Sequence, residues 1–141
     1  MTPRVAIIGC GLIGRKRLAA MGGARVVACA DTVLERAGTL ARATDGATAV
    51  QDWRAAIDRD DVDVVIVATT NDMLAEITRF AVEAGKHVLV EKPAARTVAE
   101  LDPVIAAAER HRRLVRVGFN HRYHPAILKA RELVDEGAVG E

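Results

Sequence analysis

The feature that most narrows what this chain can fold into is Gly9-Cys10-Gly11-Leu12-Ile13-Gly14, placed directly after the apolar run Val5-Ala6-Ile7-Ile8. Three glycines at this spacing suit a turn from a buried strand straight into a helix. Gly9 permits the tight turn, Gly11 leaves the backbone bare so that a phosphate can approach, and Gly14 lets the helix pack closely on the strand. The first helical N–H groups, around Leu12 and Ile13, then lack partners and point, with the helix dipole, at an anion. Such a turn holds a pyrophosphate, with Gly9, Gly11, Leu12, Ile13 and Gly14 as the expected contacts. The plain alternative is a glycine-rich turn without a ligand, but packing alone gives little reason for this spacing.

Asp31 ends the next apolar run, Val26–Ala30, seventeen residues after Gly14. An acidic residue roughly 20 residues past the glycines holds the adenosine ribose in dinucleotide sites. A carboxylate there accepts from both ribose hydroxyls and repels a 2′-phosphate, so NAD is expected over NADP. Asp31 also suits a cap on the helix that begins near Val33. Arg36, one turn further on, is placed to pair with Asp31, to lie over the adenine, or to remain a solvated helix arginine.

Along the rest of the chain, short apolar runs alternate with helical patterns. The strong strand candidates after the first two are Val62–Ala68, His87–Val90 and Leu114–Phe119, with a weaker one at Thr48–Val50. Leu12–Met21, Val33–Thr44, Met73–Ala84, Val98–His111 and Pro125–Glu136 read as helices, with a short one at Trp53–Ile57. Ile77, Phe80, Ala81 and Ala84 share one helical face, and Gly85 supplies a stop. Strands that are apolar throughout, each followed by a helix, imply an α/β fold: a doubly wound parallel Rossmann sheet of about six strands, order 3-2-1-4-5-6, helices on both faces. Residues 1–141 are expected to form one dinucleotide-binding domain.

Ligands of such sheets sit beyond the carboxyl ends of the strands. There the sequence turns polar three times: Thr69-Thr70-Asn71-Asp72, Glu91-Lys92-Pro93, and Asn120-His121-Arg122-Tyr123-His124-Pro125. The formal net charge of +1 gives no reason to expect a nucleic-acid partner. Arg112-Arg113 beside His111 reads as a solvated helix end. No apolar run approaches the ~20 residues that span a bilayer. The first four residues lead directly into a strand, so no secretory signal is expected. Two cysteines in sheet or turn positions fit a reducing cytoplasm without a disulfide. His121 and His124 have no cysteine or carboxylate pattern around them, and no metal site is expected.

On these motifs the sequence resembles the glucose-fructose oxidoreductase/inositol dehydrogenase/rhizopine-catabolism (Gfo/Idh/MocA) family of oxidoreductases. The resemblance rests on Ile8–Gly14, on Val62–Asn71, on Ala84-Gly85-Lys86-His87-Val88-Leu89-Val90-Glu91-Lys92-Pro93, and on Gly118–Pro125, and it spans essentially the whole chain. It implies that Lys92 faces the nicotinamide and the substrate hydroxyl and helps move the proton that accompanies hydride transfer. It implies further that Glu91 lies along the cofactor's ribose, that Asn71 bounds the nicotinamide-ribose side, and that Asn120 and Arg122 line the mouth; Thr69 and Thr70, at the same strand end as Asn71, are expected to touch the cofactor. Pro93 would aim Lys92 by restricting its backbone.

Two departures qualify the resemblance. Thr70 stands where the family often has proline, and Leu74 where it often has histidine. The family also continues into a second, α+β domain that supplies the substrate pocket and completes proton transfer, and this sequence ends where that domain would begin. The expectation is therefore the NAD-binding portion of a dehydrogenase acting on a sugar, polyol or related secondary alcohol or ketone. It would bind cofactor with little or no turnover alone, and would self-associate or need a partner over the apolar surface left bare. Alternatives are a stand-alone nucleotide-binding or sensor module, and a different reductase on the same cofactor fold, such as an imine or biliverdin-type reductase.

Overall fold

Val5, Ala6, Ile7 and Ile8 are apolar at every position because β1 (Arg4–Ile8) lies in the middle of a sheet that is covered on both faces. The computed structural model describes residues 2–140. After β1 come α1 (Leu12–Ala19), β2 (Arg25–Ala30), α2 (Leu34–Arg42), β3 (Thr48–Val50), α3 (Trp53–Ile57) and β4 (Val64–Val67). They are followed by α4 (Leu74–Glu83), β5 (His87–Val90), α5 (Asp102–His111), β6 (Val115–Val117) and α6 (Pro125–Asp135). The six strands form one parallel sheet in the order β3-β2-β1-β4-β5-β6, the expected doubly wound topology.

One face of the sheet packs on α3, α4 and α5 through Ile57, Leu74, Ile77, Val82 and Ala107. The other packs on α1 and α2 through Ala37, Leu40, Ala41 and Leu18, with Cys10 and Cys29 in the same cluster. Both cysteines are free thiols. Helix α4 ends as the sequence suggests: Gly85 adopts φ +78°, its N–H bonds Val82 O and that of Lys86 bonds Ala81 O. The Lys86 ammonium donates to the carbonyls of Arg59 (2.7 Å) and Val62 (2.9 Å), tying α4's exit to the loop before β4.

The helix expected over Val98–His111 is split. Val98–Glu100 is a single 3-10 turn, and α5 starts afresh at Asp102. Pro103 is the cause, because it has no N–H to bond back into a preceding turn and is tolerated only in a helix's first turn. The last strand is shorter than the run Leu114–Phe119, for it is an edge strand paired with β5 alone. Helix α6 is exposed along its length save for the half-buried Leu133; its contacts run mainly to the turn Asn120–Tyr123, and Ile127, Leu128 and Val134 face solvent.

At the sheet's amino end, Asp63 accepts from the Arg4 backbone N–H (2.9 Å), Nε (3.0 Å) and Nη2 (2.8 Å), which fixes β4 against β1. The Arg4 guanidinium, and after it the Arg4 N–H, holds the Asp63 carboxyl well below the usual carboxylate range. A depressed folded-state pKa means the stabilisation is complete above the unfolded pKa, about 3.9, and is lost as pH falls below it. Asp63→Asn should therefore lower Tm at pH 7, and the gap to the wild type should close as the melts are repeated towards about pH 2. A gap independent of pH would show that the carboxylate's charge contributes nothing.

Candidate functional site

The carboxyl ends of β1, β2 and β4 meet at the glycine turn. Gly9 N–H bonds Ala30 O (2.8 Å) and Ala68 N–H bonds Ile8 O (2.7 Å), so the ladder runs one residue past each strand before the chain turns away. Gly9 sits at φ +91°, and a Cβ there would run into the carbonyl of Ala68. A Cβ on Gly14 would run into the carbonyl of Gly9. These two glycines are therefore demanded by packing. Gly11 differs: its backbone is extended (φ −72°, ψ −158°), and nothing lies within 4 Å of where its Cβ would be. The open space at Gly11 serves no neighbour within the chain.

Gly11 is also the first residue of α1's amino end. The helix's first bond runs from Arg15 N–H to Gly11 O, so the N–H groups of Leu12, Ile13 and Gly14 have no intrahelical acceptor. No side chain caps this end, and no acidic residue occupies its first turn. It is left with the partial positive charge that attracts anions.

Asp31 bonds two stretches of backbone at once. Its Oδ1 accepts from Val33 N–H (2.9 Å), just ahead of α2, while its Oδ2 accepts from Cys10 N–H (2.8 Å) in the glycine turn. The carboxylate is thereby held at the rim of the turn, half-buried, with lone pairs left over. The Cys10 thiol beside it is inert. The neighbouring Cys29 thiol and burial push its pKa far above the ordinary thiol range, so it stays protonated.

These groups open on a cleft of about 410 Å³. Gly9, Gly11, Leu12, Ile13, Asp31, Arg36, Thr69 and Thr70 line it. Arg36 is exposed at its edge and, among the described residues, forms no ion pair with Asp31. The cleft is closed by residues that no motif marks: Thr32, Gln51, Trp53, Met73 and Ile77. Gln51 and Trp53 follow β3, so the strand-end rule would have found them had it been applied to that weak strand. Gln51 Nε2 donates to Thr32 O (2.9 Å), and Trp53 stands edge-on to Phe80 with its ring centroid 5.0 Å away.

The remaining expected residues lie outside the cleft's lining. Gly14 is buried beneath the turn and Asn71 is exposed past Thr70. Lys92 is exposed at the end of β5, and its peptide bond to Pro93 is cis. Glu91, expected along a ribose, is turned away from the cleft: its carboxylate is nine-tenths buried and accepts from Arg17 Nε on α1. Asn120 and Arg122 line a separate hollow with Arg17, Arg116 and Tyr123, where Arg116 Nη2 donates to Tyr123 Oη (2.6 Å). The polar ends of the strands thus fall into two groups. The end of β4 reaches the glycine turn, while those of β5 and β6 meet each other. No group of three or more His, Cys, Asp or Glu able to hold a metal occurs among the described residues, and no helix there is long and apolar enough to cross a membrane.

The comparisons with known proteins agree with this geometry. The chain is 39% identical, over 99% of its own length, to inositol 2-dehydrogenase 2 of Saccharopolyspora erythraea, of which it covers 43%. It is 41% identical over 75% of its length to levoglucosan dehydrogenase of Pseudarthrobacter phenanthrenivorans, covering 27% of that protein. A 3-ketoreductase from Actinomadura kijaniata in complex with NADP superposes over the whole chain with a TM-score of 0.91 at 32% identity, matching 46% of that structure. The chain thus spans less than half the length of these relatives. Residues 3–119 match the model of the oxidoreductase family with an NAD-binding Rossmann fold, Gfo/Idh/MocA, and the chain belongs to that family.

Proposed function

We propose that this chain holds a nicotinamide dinucleotide, NAD in preference to NADP, and forms the cofactor half of an oxidoreductase acting on a sugar, polyol or related secondary alcohol or ketone. The observation that carries the proposal is the bare approach at Gly11, set against the three unpartnered N–H groups of Leu12, Ile13 and Gly14. The residues present fit the group: those N–H groups would take the pyrophosphate, and Asp31 would accept from the adenosine ribose hydroxyls. Met73 and Trp53 offer apolar surface in the same cleft for the adenine base.

The bound dinucleotide supplies or accepts a hydride. Lys92, at the end of β5, holds the proton that leaves or enters the substrate hydroxyl. Its side chain is exposed in this chain, so the desolvated surroundings of an efficient proton donor have to come from a covering substrate-binding surface. That the named relatives are dehydrogenases of inositol and levoglucosan, and a 3-ketoreductase, supports the substrate class.

Cofactor choice is tested by titrating the chain with NADH and NADPH. NADH is expected to bind at least about tenfold more tightly, a difference of about 1.4 kcal/mol. Asp31→Asn should shrink that margin by removing the charge facing a 2′-phosphate. Equal affinities in the wild type would overturn the assignment of NAD.

A further inference from the structure

Among the described residues, the most deeply placed ion pair runs from α1 to the end of β5. Arg17 Nε donates to Glu91 Oε1, and Arg17 Nη2 lies against the same oxygen, with side-chain exposures of only 21% and 11%. Arg17 sits on α1, five residues after Leu12, which lines the cleft. Glu91 is the residue before Lys92. Gly118, just past β6, closes the third side: a Cβ there would stand 2.7 Å from Arg17 Nη2 and 3.2 Å from Glu91 Oε2. A side chain there would make the Arg17 guanidinium shift.

We propose that Arg17 is a positioning residue, which through Glu91 sets the turn carrying Lys92 at a fixed distance from the pyrophosphate grip of α1. The proposal rests on the cofactor reading above. Lys92 itself has no hydrogen-bond or ion-pair partner among the described residues, so its place depends on its backbone. That backbone is held by Glu91 N–H to Val67 O (2.9 Å) and by Ala94 N–H to Glu91 O (2.9 Å), which closes the turn around Lys92 and Pro93. The Glu91 side chain is the turn's link to α1. A buried carboxylate without its partner is strongly unfavourable, so losing Arg17 forces Glu91 to swing towards water and to take the turn with it.

The test compares two ligands that share the adenosine and pyrophosphate but differ at the nicotinamide. Arg17→Met should weaken NADH about tenfold in the titration while ADP-ribose, measured by calorimetry, stays within about twofold. Arg17→Lys should recover part of the loss. If Arg17→Met fails to fold, the double variant Arg17→Met/Glu91→Met leaves no orphan charge and should show the same selective loss. Equal losses for both ligands would mark the pair as a fold element only and overturn the proposal, as would no loss for either. A wild-type chain that binds neither ligand would instead overturn the cofactor reading, and this inference with it.

Discussion

Gly11→Ala is expected to leave the fold intact and to weaken NADH binding at least about tenfold, whereas Gly14→Ala is expected to damage the fold itself. The backbone at Gly11 is one that alanine adopts without strain, and its Cβ would meet nothing within 4 Å. The added methyl group therefore costs the folded chain nothing, yet it occupies the path by which a pyrophosphate reaches the α1 N–H groups. At Gly14 the Cβ would overlap the Gly9 carbonyl, which is backbone and cannot swing aside. Overpacking of this kind costs about 3 kcal/mol, which for a chain of this size lowers Tm by roughly 10 °C. Melting curves and NADH titrations on the two variants separate the effects. Equal binding by Gly11→Ala and the wild type would mean that the open space at Gly11 has nothing to do with a ligand.

Lys92→Ala should separate binding from chemistry. In a protein that joins this chain to a substrate domain, the change should lower kcat by about 10²- to 10⁴-fold, the usual contribution of a positioned proton donor. NADH affinity should fall far less than kcat, by no more than about tenfold, since Lys92 is exposed and lies outside the lining of the cleft. A stand-alone binding or sensor module makes the opposite prediction: losing Lys92 would change neither affinity nor output. Single-turnover kinetics on the two-domain protein, with cofactor binding measured separately, decides between them.

The glycine turn could be read from sequence because its roles are steric and belong to residue identity. Gly9 and Gly14 are needed by the fold and Gly11 is not, a division that follows from strand-turn-helix geometry before any coordinates are known. Asp31 was legible for the same reason: a short carboxylate after β2 can reach both the helix start and the turn, and it bonds Val33 and Cys10 together. The sheet order followed from alternating apolar runs. The break before α5 is also written in the sequence, since Pro103 stands in the middle of the stretch Val98–His111, but the helical periodicity of that stretch hides it. Arg17 was not legible. Its partner lies 74 residues away, and nothing in an exposed-looking helix start announces that one arginine is turned inward. For the same reason Glu91 was expected along a ribose: a strand-end residue is known by its place, while the direction of its side chain depends on what the rest of the chain puts beside it. Asn120 and Arg122 illustrate the limit from the other side, since β6 ends next to β5 rather than beside the glycine turn.

The account stands on whether a nicotinamide dinucleotide sits in the cleft at Gly11, and the chain carries its own reporter. Trp53 is the only tryptophan and it lines that cleft. Its emission overlaps the absorption of reduced nicotinamide, so NADH bound there should quench Trp53 and gain sensitised emission of its own. The account predicts a saturable transfer signal on adding NADH, reversed by excess NAD and lost in Gly11→Ala. Tryptophan quenching that grows linearly with NADH, never saturates and is the same in Gly11→Ala would contradict it.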